Sequence, residues 1–206
     1  MSTTRKNDSQ NSERSTSLSV TPWIQTFLGK RLSTEWEQDA ITLEETAAVL
    51  SRICRFGART RPVSSIYSVA QHSVYVWQYV QKQGGSLLEQ WSALNHEGDE
   101  ALLGFDPPAP WLRVLPDLRA LKHSAHVAYC RRYGLPEVLP PIVKHADLVL
   151  LATEKRDLML LEPEPWIKLP EPDTMPIKPW SYNHAREAFI NTWRSLAKNI
   201  GFTGRP

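Results

Sequence analysis

The sequence predicts an all-α fold, a bundle of helices around one core. Two capping boxes, at 42–45 and 68–71, each open a segment whose apolar residues recur at helical spacing. The alternation typical of half-buried strands does not occur, and neither does an Asn-Gly or Asp-Gly hairpin signal. The chain also has no internal repeat of solenoid length, so packed helices account for its pattern best.

A single domain is expected from residue 20 to the end of the chain. The 206 residues include 41% hydrophobic residues, enough for one sizeable core. Residues 1–19 differ, because serine, threonine, asparagine and charged residues dominate there and offer too little apolar surface to offset the entropy of ordering. We therefore expect a disordered tail at 1–19 and one helical domain at 20–206.

The first two predicted helices begin at the capping boxes. The first starts after Thr42 and ends near Arg55 to Gly57. The second starts after Ser68 and stops at the glycine pair 84–85. Helical spacing places His72 on one face of this helix, together with Val69, Ser73, Val76 and Val80. His72 is therefore expected to point toward the core.

The later helices are delimited by glycine and proline. One helix is predicted over 86–103, closed by Gly104 and the proline-rich stretch 106–110, and it carries His96, Glu97 and Glu100. Further helices are predicted over roughly 117–133 and 141–161. A proline-rich loop over 162–180 then leads to a last helix around 183–200.

Composition narrows the functional classes. The 24 basic and 22 acidic residues nearly balance, so charge indicates neither a nucleic-acid polymer nor a membrane surface as partner. Only two cysteines occur and they lack CxxC spacing, which indicates neither a disulfide framework nor a cysteine zinc site. The first residues lack the apolar stretch of a secretory signal, and no run approaches 18 apolar residues. We expect a soluble, cytoplasmic protein.

Two histidines and two carboxylates are candidate metal ligands: His72, His96, Glu97 and Asp147, all in predicted helices. Imidazole and carboxylate suit zinc, manganese, cobalt or iron, and helical bundles build such sites from facing helices. Each residue alone is more typical of a structural role, since a lone histidine on an apolar face usually makes a core hydrogen bond. The sequence motifs around these residues are more informative about function than the spacing between them.

Several ordered motifs resemble the HD-domain 5′-deoxynucleotidase family and its bacterial and phage relatives. The motifs are Tyr67 to Val74 (YSVAQHSV), Ala93 to Gly104 (ALNHEGDEALLG), 143–147 (VKHAD) and 153–158 (TEKRDL). The family pattern reads SVAxHS, then LLHDxxEAxLGDxPxPxK, then VKxAD and a downstream TExRDL. The stretch CRFG at 54–57 also resembles the residues that precede the first motif. The resemblance covers roughly residues 20–200.

This resemblance implies an HD-domain-type orthogonal helical bundle that hydrolyses a phosphate ester of a nucleotide or deoxynucleotide. The four candidate ligands fall where the family binds its catalytic metal, so one divalent ion (Mn, Co, Zn, Fe or Mg) is the expected cofactor. Glu100 falls where the family places an acid near the reacting phosphate, and Asp106 lies near its Gly-Asp aspartate, so both are expected to be catalytic. The expected partners are a nucleotide substrate and further copies of the chain in a homo-oligomer.

The chain departs from the family pattern at four places. Glu97 replaces the aspartate of the His-Asp pair, and its extra methylene lengthens the reach by roughly 1.5 Å, so either the helix shifts or the coordination changes. Asp106 is displaced by one position, and Leu112 stands where a lysine often follows the prolines. Upstream, where relatives carry a Gly-Gly-His-Thr-like stretch, the chain offers Arg59 and Arg61. Their guanidinium groups suit phosphate oxygens, and a solvated basic loop is the alternative role for both.

Three alternatives stay open at this stage. A degenerate HD-domain protein would bind a nucleotide or a protein partner without turnover. A zinc-protease HExxH motif is disfavoured, because that motif needs histidines at i and i+4 and the second position here is Glu100. An oxygen-activating di-iron site would recruit additional ligands, for which the spare histidines are His123, His126 and His145.

Overall fold

The computed structural model describes residues 21–37, 41–61 and 65–204, and over these residues the fold is mostly helical, as predicted. The predicted tail at 1–19 lies outside the described residues. The helices are α1 Leu43–Leu50, α2 Val69–Lys82, α3 Leu87–Asn95, α4 Asp99–Leu103, α5 Ala109–Val114, α6 Pro116–Tyr133, α7 Pro141–Leu158 and α8 Tyr182–Ile200. None of the described helices is both long enough and apolar enough to cross a membrane.

A small antiparallel hairpin, for which the sequence showed no signal, precedes the helices. Its strands are β1 Trp23–Gln25 and β2 Arg31–Ser33. The connecting turn closes with a hydrogen bond from the Thr26 N–H to the Lys30 carbonyl, and Gly29 takes a left-handed φ of 77°. A turn of this length carries no Asn-Gly or Asp-Gly signal, so the sequence pattern did not reveal it.

Serine and threonine caps begin the first helices as predicted, but the predicted boxes form only in part. Thr42 accepts from the Glu45 N–H at the start of α1, and Ser68 accepts from the Gln71 N–H at the start of α2. A complete capping box closes instead at the start of α3, where Ser86 and Glu89 bond each other's backbone N–H groups. These caps satisfy N–H groups that the first helical turn leaves free.

Helix α1 ends at Leu50, well before the predicted end near 55–57. The chain then passes through a short 3-10 turn, Arg55–Ala58, in which Phe56 and Gly57 both have a φ of 57°. Left-handed residues reverse the chain direction and prevent a helix from continuing. The Arg55 side chain, at the start of this turn, is directed into the protein, and only 9% of it is exposed.

The predicted helix over 86–103 is broken into α3 and α4, so that prediction is wrong in the middle. Across the break, the N–H groups of Gly98, Glu100 and Ala101 each bond the carbonyl three residues earlier, as in a 3-10 turn. The break lies against α6, and a Cβ on Gly98 would meet the Tyr129 ring at 2.0 Å. Only glycine fits this close approach.

The remaining helices agree with prediction apart from α5 and a few ends. Helix α5 lies in the proline-rich stretch that was predicted to be irregular, with proline in its first turn, where a missing N–H costs nothing. Helix α7 ends at Leu158 rather than 161. Helix α8 starts one residue early, after the Ser181 cap.

Helix α2 lies at the centre of the bundle, packed on α3, α7 and α8. One side of it joins a core with Trp91, Phe189 and Trp193, and the other joins a core with Val143 and Leu150. Because apolar side chains surround α2, its buried polar residues Gln71 and His72 bond partners on other segments, Lys178 and Glu154. This helix, the α3–α4 break and α7 position the candidate site.

Candidate metal centre

The four predicted ligands come together in the structure, from α2, the α3–α4 break and α7. His72, His96, Glu97 and Asp147 each offer one ligand atom, and these atoms all lie within 4.8 Å of one another. His72 Nε2 is 3.2 Å from His96 Nε2 and 3.1 Å from Asp147 Oδ1. His96 Nε2 is 3.8 Å from Glu97 Oε1 and from Asp147 Oδ1.

Glu154 fixes the ring of His72. Its Oε1 lies 2.5 Å from His72 Nδ1 and accepts from the Tyr67 hydroxyl at 2.9 Å. Both His72 and Glu154 are fully buried. A hydrogen bond at Nδ1 leaves Nε2 to face the cluster, which is the arrangement that a carboxylate, a histidine and a metal ion usually share.

The break between α3 and α4 fixes the ring of His96. In an unbroken helix the Ala93 carbonyl would accept from the N–H of Glu97. Here it lies 2.7 Å from His96 Nδ1 instead. The helix end therefore supplies the acceptor that directs Nε2 of His96 into the cluster.

Glu97 is shared between the cluster and Arg55. Its Oε1 lies 3.2 Å from one guanidinium nitrogen of Arg55, which also reaches Asp106 at 3.8 Å, while the other terminal nitrogen contacts Glu154 at 3.4 Å. Burial by itself would raise the pKa of Glu97, but the cations around it, Lys122 first, lower it to about 2. Glu97 therefore presents an ionised carboxylate, as a metal ligand must.

Glu100 lies beside the cluster with a different protonation preference. Lys122 of α6 contacts Glu100 at 2.9 Å, Asp99 at 3.0 Å and Glu97 at 3.6 Å, so one ammonium faces three carboxyl groups. Burial, followed by the charge of Glu97, raises the pKa of Glu100 well above its usual range. Its Oε2 is buried and has no hydrogen-bond partner in the part of the chain that the structure describes.

The predicted substrate-binding arginines have other contacts. The Arg61 guanidinium bonds the carbonyls of Arg156 and Asp157 at the end of α7. Arg59 is exposed and bonds the Gly57 carbonyl at 3.4 Å. Neither contact includes a cluster residue, and a role for these two arginines in phosphate binding stays a prediction.

The spare histidines do not join the cluster. His126 Nε2 lies 2.9 Å from the Glu137 carbonyl, and the His145 ring lies 6.3 Å from the Tyr79 ring. Among the described residues, the group that could hold a metal ion contains only the four predicted ligands, without His123 or the other two. These contacts give the di-iron alternative no support.

Sequence reasoning missed the residues that hold the ligands in place: Arg55, Tyr67, Lys122 and Glu154. Three of them stood inside motifs that resemble the family, in CRFG, YSVAQHSV and TEKRDL. The motifs therefore marked these three positions, but the sequence alone did not indicate that they orient the metal ligands. Lys122 stood in no motif, and only the packing of α6 against α4 reveals it.

The donor set fits a divalent metal ion. Two imidazoles present Nε2, and two carboxylates complete a set that suits zinc, manganese, cobalt or iron. Ligands that share an ion at 2.0–2.2 Å stand about 2.8–3.6 Å apart when adjacent. The distances of 3.1 and 3.2 Å at His72 lie within this range, and Glu97 is the outermost member. The Asp147 side chain is 36% exposed, so the centre opens to solvent at that side.

No family model matches the chain. One relative is described as "Uncharacterized protein YfdR" of Escherichia coli strain K12, and it is 35% identical over 180 residues. The matched region covers 85% of this chain and 96% of that protein. The likeness therefore extends over most of the chain rather than over a single motif.

Proposed function

The chain belongs to the same family as this E. coli protein, and we propose that it is a metal-dependent phosphohydrolase that acts on a nucleotide. The observation that carries the proposal is the convergence of four ligand atoms within 4.8 Å, with both imidazoles oriented by acceptors at Nδ1. The resemblance to HD-domain 5′-deoxynucleotidases supports the same reaction and a deoxynucleotide as substrate.

A divalent ion in such a centre polarises a phosphoryl oxygen and lowers the pKa of bound water toward roughly 7. The chain's own residues do the rest. His72, His96, Glu97 and Asp147 hold the ion, and burial keeps the two imidazoles rigid. The open side at Asp147 admits the substrate.

Glu100 is the proposed proton donor to the leaving oxygen. Two neighbouring carboxyl groups whose environments push their pKa values apart are typical of acid–base catalysis. Here the pKa of Glu97 is lowered to about 2, whereas burial and the charge of Glu97 raise the pKa of Glu100 well above its usual range. The partnerless Oε2 of Glu100 is the atom from which the proton would be donated.

Arg55 and Lys122 are the cations nearest the cluster, and both suit a phosphate group. Arg55 contacts Glu97 and Asp106 from one side, and Lys122 contacts Glu97 and Glu100 from the other. Arg59, exposed at the same turn as Arg55, remains the candidate for a more distant phosphate contact.

The second candidate is a protein that binds a nucleotide or a partner without turnover. The observation that favours it is the 3.2 Å ion pair between Arg55 and Glu97, because a carboxylate engaged by a guanidinium is a weaker ligand. Metal content separates the two candidates. An enzyme requires a bound ion, whereas a degenerate protein retains nucleotide affinity without one.

The test combines elemental analysis of the purified protein with phosphate release from deoxynucleoside mono- and triphosphates in the presence of Mn, Co, Zn, Fe or Mg. We expect metal-dependent release by the wild type. We expect Glu100→Gln to lower the rate by about 10²–10⁴-fold with metal still bound, which is what general acid–base catalysis contributes. Glu137→Gln is the control, because Glu137 is paired with Arg131 at the surface.

An unchanged rate of phosphate release in Glu100→Gln would show that Glu100 is not the proton donor. A wild-type protein that releases no phosphate with any of these metals would favour the binding protein. Glu97→Asp then locates the defect. Activity gained by that change alone would place the defect in the metal ligands. Continued silence would direct attention to the displaced Asp106 and to Leu112, where relatives have lysine.

A further inference from the structure

A cavity that is separate from the metal centre lies between the hairpin and helices α1, α4 and α8. Its volume is about 460 Å³, which is within the range of small-molecule sites. Its walls are mostly apolar, and they include Ile24, Phe27, Leu32, Ile41, Val49 and Leu102. None of the four metal ligands lines it.

Glu45 of α1 places a carboxylate in the wall of this cavity. Its side chain is not used for the helix cap, where only Thr42 contributes. Glu45 is 1% exposed, and its Oε1 accepts from the Leu28 N–H at 3.4 Å, a long hydrogen bond. Its Oε2 has no hydrogen-bond partner among residues 21–37, 41–61 and 65–204. A buried acceptor without a donor is costly, and a ligand that supplies an N–H would satisfy it.

Two arginines give the cavity the opposite charge at another part of its lining. Arg52 lies beyond the end of α1 with its guanidinium 4.4 Å from the centre of the Tyr182 ring, and Arg186 follows Tyr182 by one turn of α8. Both arginines line the cavity. Two guanidinium groups and one carboxylate leave a net positive lining, which suits an anionic group.

We propose that this cavity binds a small organic anion whose apolar body carries an N–H donor. The donor bonds Glu45 Oε2, the apolar body lies against the hydrophobic walls, and the anionic group meets Arg52 or Arg186. A ligand without the anion would leave the arginines unused, and one without the donor would bury Glu45 unsatisfied.

The hairpin forms one wall of this site. Ile24 and Phe27 are 59% and 60% exposed, so a bound ligand has apolar surface to cover. A two-stranded hairpin is marginally stable by itself. Ligand contacts to its inner side would therefore slow hydrogen exchange at residues 23–33 more than elsewhere.

Indole-3-acetate is the probe for the experiment, because it combines a ring N–H, an apolar body and a carboxylate. We expect it to bind the full-length chain with a Kd of about 1 mM or tighter in calorimetric titration. Naphthalene-1-acetate, which lacks the N–H, and indole, which lacks the carboxylate, should each bind about tenfold more weakly or not at all. Equal binding of indole-3-acetate and naphthalene-1-acetate, or no binding of indole-3-acetate, would overturn the proposal without any variant.

Glu45→Gln tests the donor contact directly. We expect it to weaken indole-3-acetate binding by about 10- to 100-fold, the usual effect of a charged hydrogen bond. The thermal midpoint should not fall, because the change replaces a buried carboxylate oxygen that has no hydrogen-bond partner in the described chain. Glu44→Gln is the matched control, since the neighbouring Glu44 pairs with Arg194 outside the cavity. Unchanged probe affinity in Glu45→Gln would refute the site.

Discussion

Replacing Glu154 by glutamine would test whether this buried carboxylate prepares His72 for metal binding. The change keeps the size of the side chain and removes its charge. The glutamine oxygen can still accept at the position of Oε1, where His72 and Tyr67 bond Glu154. Its amide nitrogen would then face a guanidinium nitrogen of Arg55 at the position of Oε2, and two donors would oppose each other.

The expected loss is about 10- to 100-fold in metal affinity, the usual effect of removing a group that orients a ligand, which corresponds to about 1.4–2.7 kcal/mol. Competition with a chelator for Zn²⁺ or Mn²⁺ at fixed pH measures it, and circular dichroism checks that the variant is folded. Tyr67→Phe, which removes one hydrogen bond to the same carboxylate, should have a smaller effect. Glu162→Gln is the control, because Glu162 pairs with Lys155 beyond the end of α7. A folded Glu154→Gln variant with wild-type affinity would refute the reasoning.

Two further predictions concern pH and packing. The carboxylates of Glu154 and Asp147 outweigh the effect of burial and raise the pKa of His72 to about 9. Because a metal ion must displace this proton, the apparent metal affinity should rise by up to about tenfold per pH unit below that pKa. A metal affinity that does not change between about pH 6 and pH 8 would contradict this. Gly98→Ala should lower the free energy of unfolding in urea by about 1–3 kcal/mol, because the new methyl group meets the Tyr129 ring. The same change in a Tyr129→Leu background should cost less, and equal costs would show that the ring is not the cause.

The fold could be predicted where local signals and packing agree. The caps of α1 and α2 follow from residues three positions apart, and glycine and proline locate the ends of α6 and α7 within a few residues. The hairpin could not be predicted, because its strands have three residues each and its turn lacks the usual dipeptides. Helix α1 ends early, and by Cys54 the backbone is extended and pairs with Ser68 in an isolated β-bridge, a contact that helical periodicity does not specify.

For the candidate site, the metal ligands could be predicted from the sequence, but the residues that orient them could not. His72, His96, Glu97 and Asp147 follow from motifs of the chain, and the structure brings them together. The groups that orient and charge them come from distant positions. Glu154 lies 82 residues after His72, and Lys122 reaches Glu100 from 22 residues away. Such pairings depend on how helices pack, which helical periodicity alone does not specify.

The break between α3 and α4 determines how His96 and Glu97 face the candidate metal centre. A continuous helix would bond the Ala93 carbonyl to the Glu97 N–H and leave the His96 ring without this acceptor. The close approach of Tyr129 requires glycine at 98, because a Cβ there would meet the ring. The 3-10 turn at the break frees the Ala93 carbonyl for His96 Nδ1 and lets Glu97 reach both Arg55 and the cluster. Glycine at 98 therefore lets α6 pack against the break at which two of the four ligands, His96 and Glu97, face the proposed metal ion.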